Sequence, residues 1–284
     1  MMRLPILLFV LLLPAVASAA PAAKTLFGAK AAPAASLAPA SYGSYARGCL
    51  AGAARLPETG PSWQAMRLER NRNWGRPELV AFVERLGAAA QAIGWPGLLV
   101  GDLSQPRGGP MASGHASHQI GLDADIWLRP GFARELSFTE RKEISSFTVT
   151  RPDQLSVNES WTPEHMALIR AAAEDPAVAR LFVHAAIKDR MCRDAGADRD
   201  WLRKVRPWWG HNAHFHVRLA CPDAASGCVD QDPPPPGDGC DASLAWWFSD
   251  EALKPKPDPN APKPKPALTL ADLPAECARV LDAE

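Results

Sequence analysis

No sign of charge dominates this 284-residue chain, in which 31 Lys and Arg stand against 31 Asp and Glu. That balance withholds support from nucleic-acid binding, which ordinarily calls for a basic face. Long apolar runs are scarce too. The one near the start, Leu4 to Leu13, falls short of the roughly 20 residues that span a bilayer, and no later segment is long enough. There is no Cys-x-x-Cys pair to suggest a zinc–thiolate cluster, and no internal repeat. Histidine is rare, seven residues in all, so where the histidines fall is informative.

What is present begins with MMRLPILLFVLLLPAVASAA. Arg3, the apolar run and the small residues Ala17-Ser18-Ala19 follow the order of a secretory signal peptide, so residues 1–19 are expected to be cleaved off after Ala19 rather than kept as an anchor. Losing Arg3 reduces the 31 basic residues to 30 against 31 acidic ones. The mature chain is expected to be soluble and exported, with length enough for one large domain or two small ones. Its six cysteines are even in number, and in an oxidising compartment they read as disulfides. Cys221 and Cys228 would close a short loop, Cys49 and Cys277 would tie the two ends, and Cys192 is left for Cys240.

Residues 20–42 are rich in Ala, Pro and Ser without periodicity and read as a loosely ordered arm. From Arg76, Leu79, Phe82, Val83, Leu86, Ala90 and Ile93 recur at helical spacing, with Pro77 in the first turn and Gly94 at the stop. A strand is expected over 97–105. In 122–128, Leu122, Ala124, Ile126 and Leu128 share one face and Asp123, Asp125 and Trp127 the other. Thr162-Pro163 opens a helix through Ala173, and Asp175-Pro176 opens a helical or mixed stretch towards Cys192. The third strand, 213–219, alternates Ala213, Phe215, Val217 and Leu219 with His214, His216 and Arg218. Ten of the 28 prolines fall in 233–266, which is expected to run extended over the surface as a spacer returning Cys277 to the body. Helices and strands without a β-α-β rhythm point to an α+β fold with a central antiparallel sheet flanked by helices.

Two segments hold five of the seven histidines. In HNAHFHVR, a strand's two-residue period puts His214 and His216 on one face and turns Phe215 into the core. In SGHASHQIGLDAD, a Gly-turned loop carrying His115 and His118 enters the strand that presents Asp123 and Asp125. Imidazole and carboxylate are both good zinc ligands, and His118, Asp125 and one histidine of the distant strand would leave a fourth position for water, as catalytic zinc sites do. His165 and His184 read as solvated or packed, and Ser113 and Ser117 as turn residues. Arg107 could bind a substrate carboxylate or sit solvated. Trp208 and Trp209 could wall a cleft or fill the core.

His118-x₆-Asp125 with the distant His214-x-His216 resembles the pattern of lysostaphin-type peptidases, D-Ala-D-Ala metallopeptidases and the hedgehog fold. Within that group the chain most resembles penicillin-insensitive murein endopeptidases, through GDLSQPRGG, SGHASHQIGLDADIWL, DRDWLRKVRPWWGHNAHFHVRLACP and PPPPGDGC. The resemblance runs from about Tyr42 and includes all six cysteines. It implies one hedgehog-like zinc peptidase domain over 43–284, with Zn²⁺ on His118, Asp125 and His216. His214 falls at a non-ligand active-site histidine and His211 at a further one, while His115 would serve either a second metal or the substrate. Residues 145–160 offer no histidine for a second site. The implied activity is D,D-endopeptidase hydrolysis of D-alanyl–meso-diaminopimelyl crosslinks of peptidoglycan in the periplasm. A D-Ala-D-Ala carboxypeptidase and a non-catalytic zinc-containing wall-binding protein are the alternatives. No H-E-x-x-H is present, so the usual glutamate base is missing and His214 or His211 must help with the proton. Chemistry without a serine nucleophile would explain insensitivity to penicillin.

Overall fold

The computed structural model describes residues 20–222, 227–255 and 265–284; the expected signal peptide, 1–19, lies outside them. Strands are β1 (Ala40–Ser44), β2 (Arg47–Ala51), β3 (Ala54–Arg55), β4 (Thr59–Gly60), β5 (Trp63–Ala65), β6 (Trp74–Gly75), β7 (Leu98–Val100), β8 (Asp123–Trp127), β9 (Val178–Val183), β10 (Val205–Pro207) and β11 (His214–Leu219). Helices are α1 (Ala23–Gly28), α2 (Pro77–Ala92), α3 (Phe138–Glu143), α4 (Pro163–Glu174), α5 (Ala185–Asp194), α6 (Ala242–Ala245), α7 (Asp250–Leu253) and α8 (Glu276–Asp282).

The main sheet has the order β10-β9-β11-β8-β7-β5-β4. Its middle, β9-β11-β8-β7, is antiparallel as expected, but β10 pairs parallel with β9 and β5 parallel with β7. The sheet is therefore mixed. Each parallel pair is joined through a helix, α5 between β9 and β10 and α2 between β5 and β7, because parallel neighbours require a crossover. The β-α-β rhythm escapes the sequence because β5, β7 and β10 are three residues each, too short to show a period. The expected strand at 97–105 contracts to β7.

α2 follows its pattern closely: Leu79, Phe82, Val83, Leu86 and Ala90 are buried against the sheet, and the chain leaves the helix at Gly94 with φ +94°. α4 begins at Pro163 after Thr162, as expected. Its first turn depends on His165, whose Nδ1 accepts the Thr162 N–H at 3.0 Å while Nε2–H donates to the Leu128 carbonyl at 2.7 Å. His184 caps α5 similarly, its Nδ1 accepting the Ala186 N–H. Both histidines are buried, so of the two readings the packed one holds.

Burial holds His165 below its ordinary 6.5, and a proton on Nδ1 would abolish the cap. Above pH 6.5 the ring is neutral folded and unfolded. Below it the unfolded chain takes up a proton that the native chain refuses, so stability should decline by up to about 1.4 kcal/mol per pH unit until the folded pKa is reached. Thermal unfolding between pH 7 and 5 should show a shallower pH slope in His165→Gln than in the wild type. Equal slopes would remove His165 from the acid sensitivity.

The arm at 20–42 is not loose. Ala23, Phe27 and Ala34 are buried in a small second core with Cys49, Ala51, Leu273, Cys277, Val280 and Leu281. Its partners come from the opposite end of the chain, so no local pattern announces them. Arg107 is also corrected. It is neither solvated nor in the cleft, but buried, donating to the carbonyls of Ala32, Val280, Leu281 and Ala283. It satisfies the unpaired carbonyls at the end of α8, where a cation is favoured.

All three disulfides form as expected, Cys49–Cys277, Cys192–Cys240 and Cys221–Cys228. The Pro-rich segment departs from its reading in part. Pro233–Pro236 runs without helix or strand, its Pro234 and Pro235 carbonyls accepting from Arg203, but 242–253 is largely helical, as α6, a 3₁₀ turn over Trp246–Phe248, and α7. No proline falls between Pro236 and Pro255, and Asp241 and Ser249 supply N-caps. The stretch 256–264 lies outside the described residues. No described helix is long and apolar enough to cross a membrane.

Candidate metal centre and active site

The site is written across the β8–β11 pair. Antiparallel register sets His214 opposite Trp127, His216 opposite Asp125 and Arg218 opposite Asp123. Because strand side chains alternate, these six occupy one face, while Phe215, Val217, Ala124 and Ile126 enter the core. A loop from Gly114 to Leu122 folds back over that face. At its centre His118 adopts the left-handed conformation, φ 64°, sparsely populated for a non-glycine residue. It is clamped from both sides: its N–H donates to Asp123 Oδ2 at 2.9 Å, and its carbonyl accepts the Ser104 hydroxyl at 2.6 Å. Gly121, φ +73°, completes the turn; a Cβ there would lie 2.6 Å from Leu50.

The sequence-predicted residues converge. His216 Nδ1 is 3.2 Å and His118 Nε2 3.5 Å from the same Asp125 oxygen, Oδ1. Donor atoms of His115, His118 and Asp125 lie within 4.8 Å of one another. Both ring nitrogens of His118 and Asp125 Oδ1 are buried without a hydrogen-bond partner, while His216 turns Nδ1 to this cluster and Nε2 to Asp123. Leaving such atoms unpaired is costly, and a cation among them would remove the penalty. The residues present can therefore hold a metal ion, a His-His-Asp site. His115 differs from the others, because its Nε2 is already engaged with Asp102 Oδ2 at 3.1 Å.

The electrostatics follow burial and neighbours. Burial keeps His118 below its ordinary value, and so neutral and ready to ligate. Burial also disfavours charge on His216, but Asp123 and Asp125 outweigh it and push the ring up to about 9. Asp125 is held well below the carboxylate range, its desolvation overcome by His214 and His118. Asp102, likewise desolvated, is held at about 2 by its bonds from His115 and Arg72.

Asp123 supports His216 from behind. Its Oδ1 lies 3.0 Å from His216 Nε2 and accepts Arg218 Nε at 2.8 Å. Arg218 in turn lies over Tyr45, 4.1 Å from the ring centre, and donates to Gln231. Sequence reasoning saw Asp123 but not this chain, and it missed Asp102 and Arg72 altogether. Asp102 left one faint signal, a lone carboxylate directly following a buried apolar strand.

A cleft of about 350 Å³ opens beside these donors, with His115, Phe182, Trp208, Trp209, His211 and His216 among its lining residues. Trp208 and Trp209 are about half exposed, at 49% and 52%, so they wall the cleft and do not fill the core. His211 and His214 stand together, ring centres 4.9 Å apart. Burial is the main cause that lowers both; neighbouring His214 and His216 help bring His211 to about 3. His211 Nδ1–H donates to the Trp209 carbonyl at 2.8 Å, which leaves the lone pair on Nε2. Of the two serines, Ser113 accepts from Arg72 through its carbonyl and hydroxyl, a loop tether.

Residues 41–282 match the family model described as penicillin-insensitive murein endopeptidase. A Haemophilus influenzae protein of that name is 48% identical over 224 residues, 79% of this chain and 78% of its own length. Namesakes from Escherichia coli O157:H7 and Shigella boydii are each 45% identical over 242 residues, 85% of this chain and 86% of their own. With nearly the whole folded body matched at this identity, the chain belongs to the penicillin-insensitive murein endopeptidase family.

Proposed function

We propose that the protein is a zinc-dependent D,D-endopeptidase that hydrolyses D-alanyl–meso-diaminopimelyl crosslinks in peptidoglycan, acting in the periplasm after loss of residues 1–19. The family is one of metallopeptidases, and the protein is a peptide hydrolase of the murein type. Residues 43–284 are the peptidase domain, with the arm at 20–42 packed on it. The β8–β11 seam and its His-Asp-His set support a hedgehog/D-Ala-D-Ala-peptidase-like assignment of the fold. The observation that carries the reading is the set of buried, partnerless donor atoms on His118 and Asp125, which His216 Nδ1 joins at 3.2 Å, beside a cleft lined by His211.

His118, Asp125 and His216 are the residues that would hold zinc, with His115 kept on Asp102 at the rim. When bound, zinc supplies a Lewis acid for the scissile carbonyl and lowers the pKa of a bound water towards ~7. The chain provides the rest. Asp123 fixes the His216 ring, and Asp125 is kept ionised. His211, with Nδ1–H committed to Trp209, and His214 beside it are the two groups that would share the proton taken from the attacking water and returned to the leaving amine.

Purified protein should cut crosslinked muropeptide dimers in zinc-replete buffer, stop with a chelator, and continue in penicillin. Intact dimers would overturn the endopeptidase reading, and release of terminal D-alanine alone would replace it with a carboxypeptidase. Cleavage that survives removal of all metal would refute the zinc mechanism.

A further inference from the structure

Burial separates eight of the chain's ten tryptophans into two groups, with Trp74 and Trp247 intermediate. Trp63, Trp95, Trp127, Trp161 and Trp201 are each less than 10% exposed, whereas Trp208, Trp209 and Trp246 are 49%, 52% and 40% exposed. With Trp247 these form one continuous aromatic shelf whose rings meet edge to face or tilted, so that faces and edges alternate along it. Ring centres are 5.5 Å apart for Trp208–Trp209, 4.6 Å for Trp209–Trp247 and 5.3 Å for Trp246–Trp247. Three of the six large apolar side chains exposed among the described residues are in this one patch. Indole rings left in water at such density mark a surface built to be covered.

The shelf is continuous with the cleft. Trp208 packs edge-on to Phe182, whose ring lies 5.3 Å from that of His216, and the Trp209 carbonyl holds His211. The fold anchors its outer half deliberately far from its neighbours in sequence. The Cys192–Cys240 bridge fastens the segment leading into α6 to α5, and the Arg199–Asp238 ion pair at 2.7 Å ties it to the turn after that helix. Trp209 Nε1–H then donates to the Ala252 carbonyl at 3.3 Å.

We propose that this shelf is a saccharide subsite that takes the amino-sugar strand carrying the peptide being cut, a reading that rests on the murein function above. Three observations select that occupant. The shelf begins where the reacting peptide would lie, and a peptide stem of a few residues, about 3.3–3.6 Å each, keeps its sugar within reach of the cleft. Pyranose rings present flat C–H faces that suit aromatic faces, with polar rims that suit the adjacent carbonyls and carboxylates. Trp246 Nε1–H donates to the exposed Glu251 carboxylate at 3.3 Å, an acidic group at the rings that disfavours an anionic bilayer.

The test compares kcat/KM on crosslinked muropeptide dimers bearing their disaccharides with kcat/KM on the same crosslinked peptides stripped of sugar. The ratio of the two should fall about tenfold in Trp246→Ala/Trp247→Ala, mainly through KM, and recover in Trp246→Phe/Trp247→Phe. Independently of cleavage, N-acetylglucosamine oligomers should perturb tryptophan fluorescence in the wild type and not in the alanine variant. An unchanged ratio would overturn the proposal, as would wild-type self-association that the alanine variant abolishes without any oligosaccharide response. Should the wild type bind the oligomers but cut neither dimer, the subsite stands and the endopeptidase reading fails.

Discussion

His216→Ala should emerge from dialysis without bound metal and with crosslink cleavage reduced at least about 10³-fold. The size of the loss follows from the several kcal/mol that a catalytic cation contributes to the barrier, at about 1.4 kcal/mol per tenfold. Its origin is the cross-strand register, which puts His216 opposite Asp125 with Nδ1 3.2 Å from Oδ1. Alanine there leaves Asp125 and His118 as the remaining pair, and the Asp123 carboxylate loses the ring it steadies but keeps Arg218. Elemental analysis of the dialysed protein reads the metal directly, and calorimetry distinguishes loss of the ion from loss of the fold. A variant that retains one metal per chain would remove His216 from the ligand set and return that place to His115.

His214→Ala should behave in the opposite way, keeping its metal while kcat falls by about 10²–10⁴-fold, the span typical of a lost general acid–base group. The ring is half-buried beside His211, ring centres 4.9 Å apart, and its Nε2 stands 3.7 Å from Asp125 Oδ1, beyond hydrogen-bond reach. The proposed ligand set does not include it, and its removal should not lower stability much. Steady-state kinetics on muropeptide dimers, with metal content measured on the same preparation, provide the check. Full turnover would show that His211 alone handles the proton; loss of metal would show that His214 is a ligand.

The difference expected between two histidines separated only by Phe215 depends on features of unequal legibility. The alternation of 213–219 and of 122–128 is plain in the sequence, because a strand with one face in the core must place apolar residues at every second position. So is the stripe of α2, and so are the cysteine pairs. The pairing of the two strands is not legible, since β8 and β11 are nearly a hundred residues apart and nothing local specifies their register. That register sets which histidine meets Asp125.

Arg107 shows the limit most clearly. Read in its loop it is a free cation near a possible anion, and only the return of α8 from the far end of the chain makes it a helix cap. Phe27 and Ala23 are misread for the same reason, and the three-residue strands β5, β7 and β10 conceal the parallel margins of the sheet. By itself the sequence determined the chemistry: the donor types, the period that puts His214 and His216 on one face, the bridges and the family pattern. Only the tertiary structure decided which donors share a carboxylate, which cation is buried, and that four tryptophans from two distant segments meet beside the cleft. Periodicity records a residue's relation to its own element, whereas contacts between elements arise from burial and register that form only when the chain closes on itself.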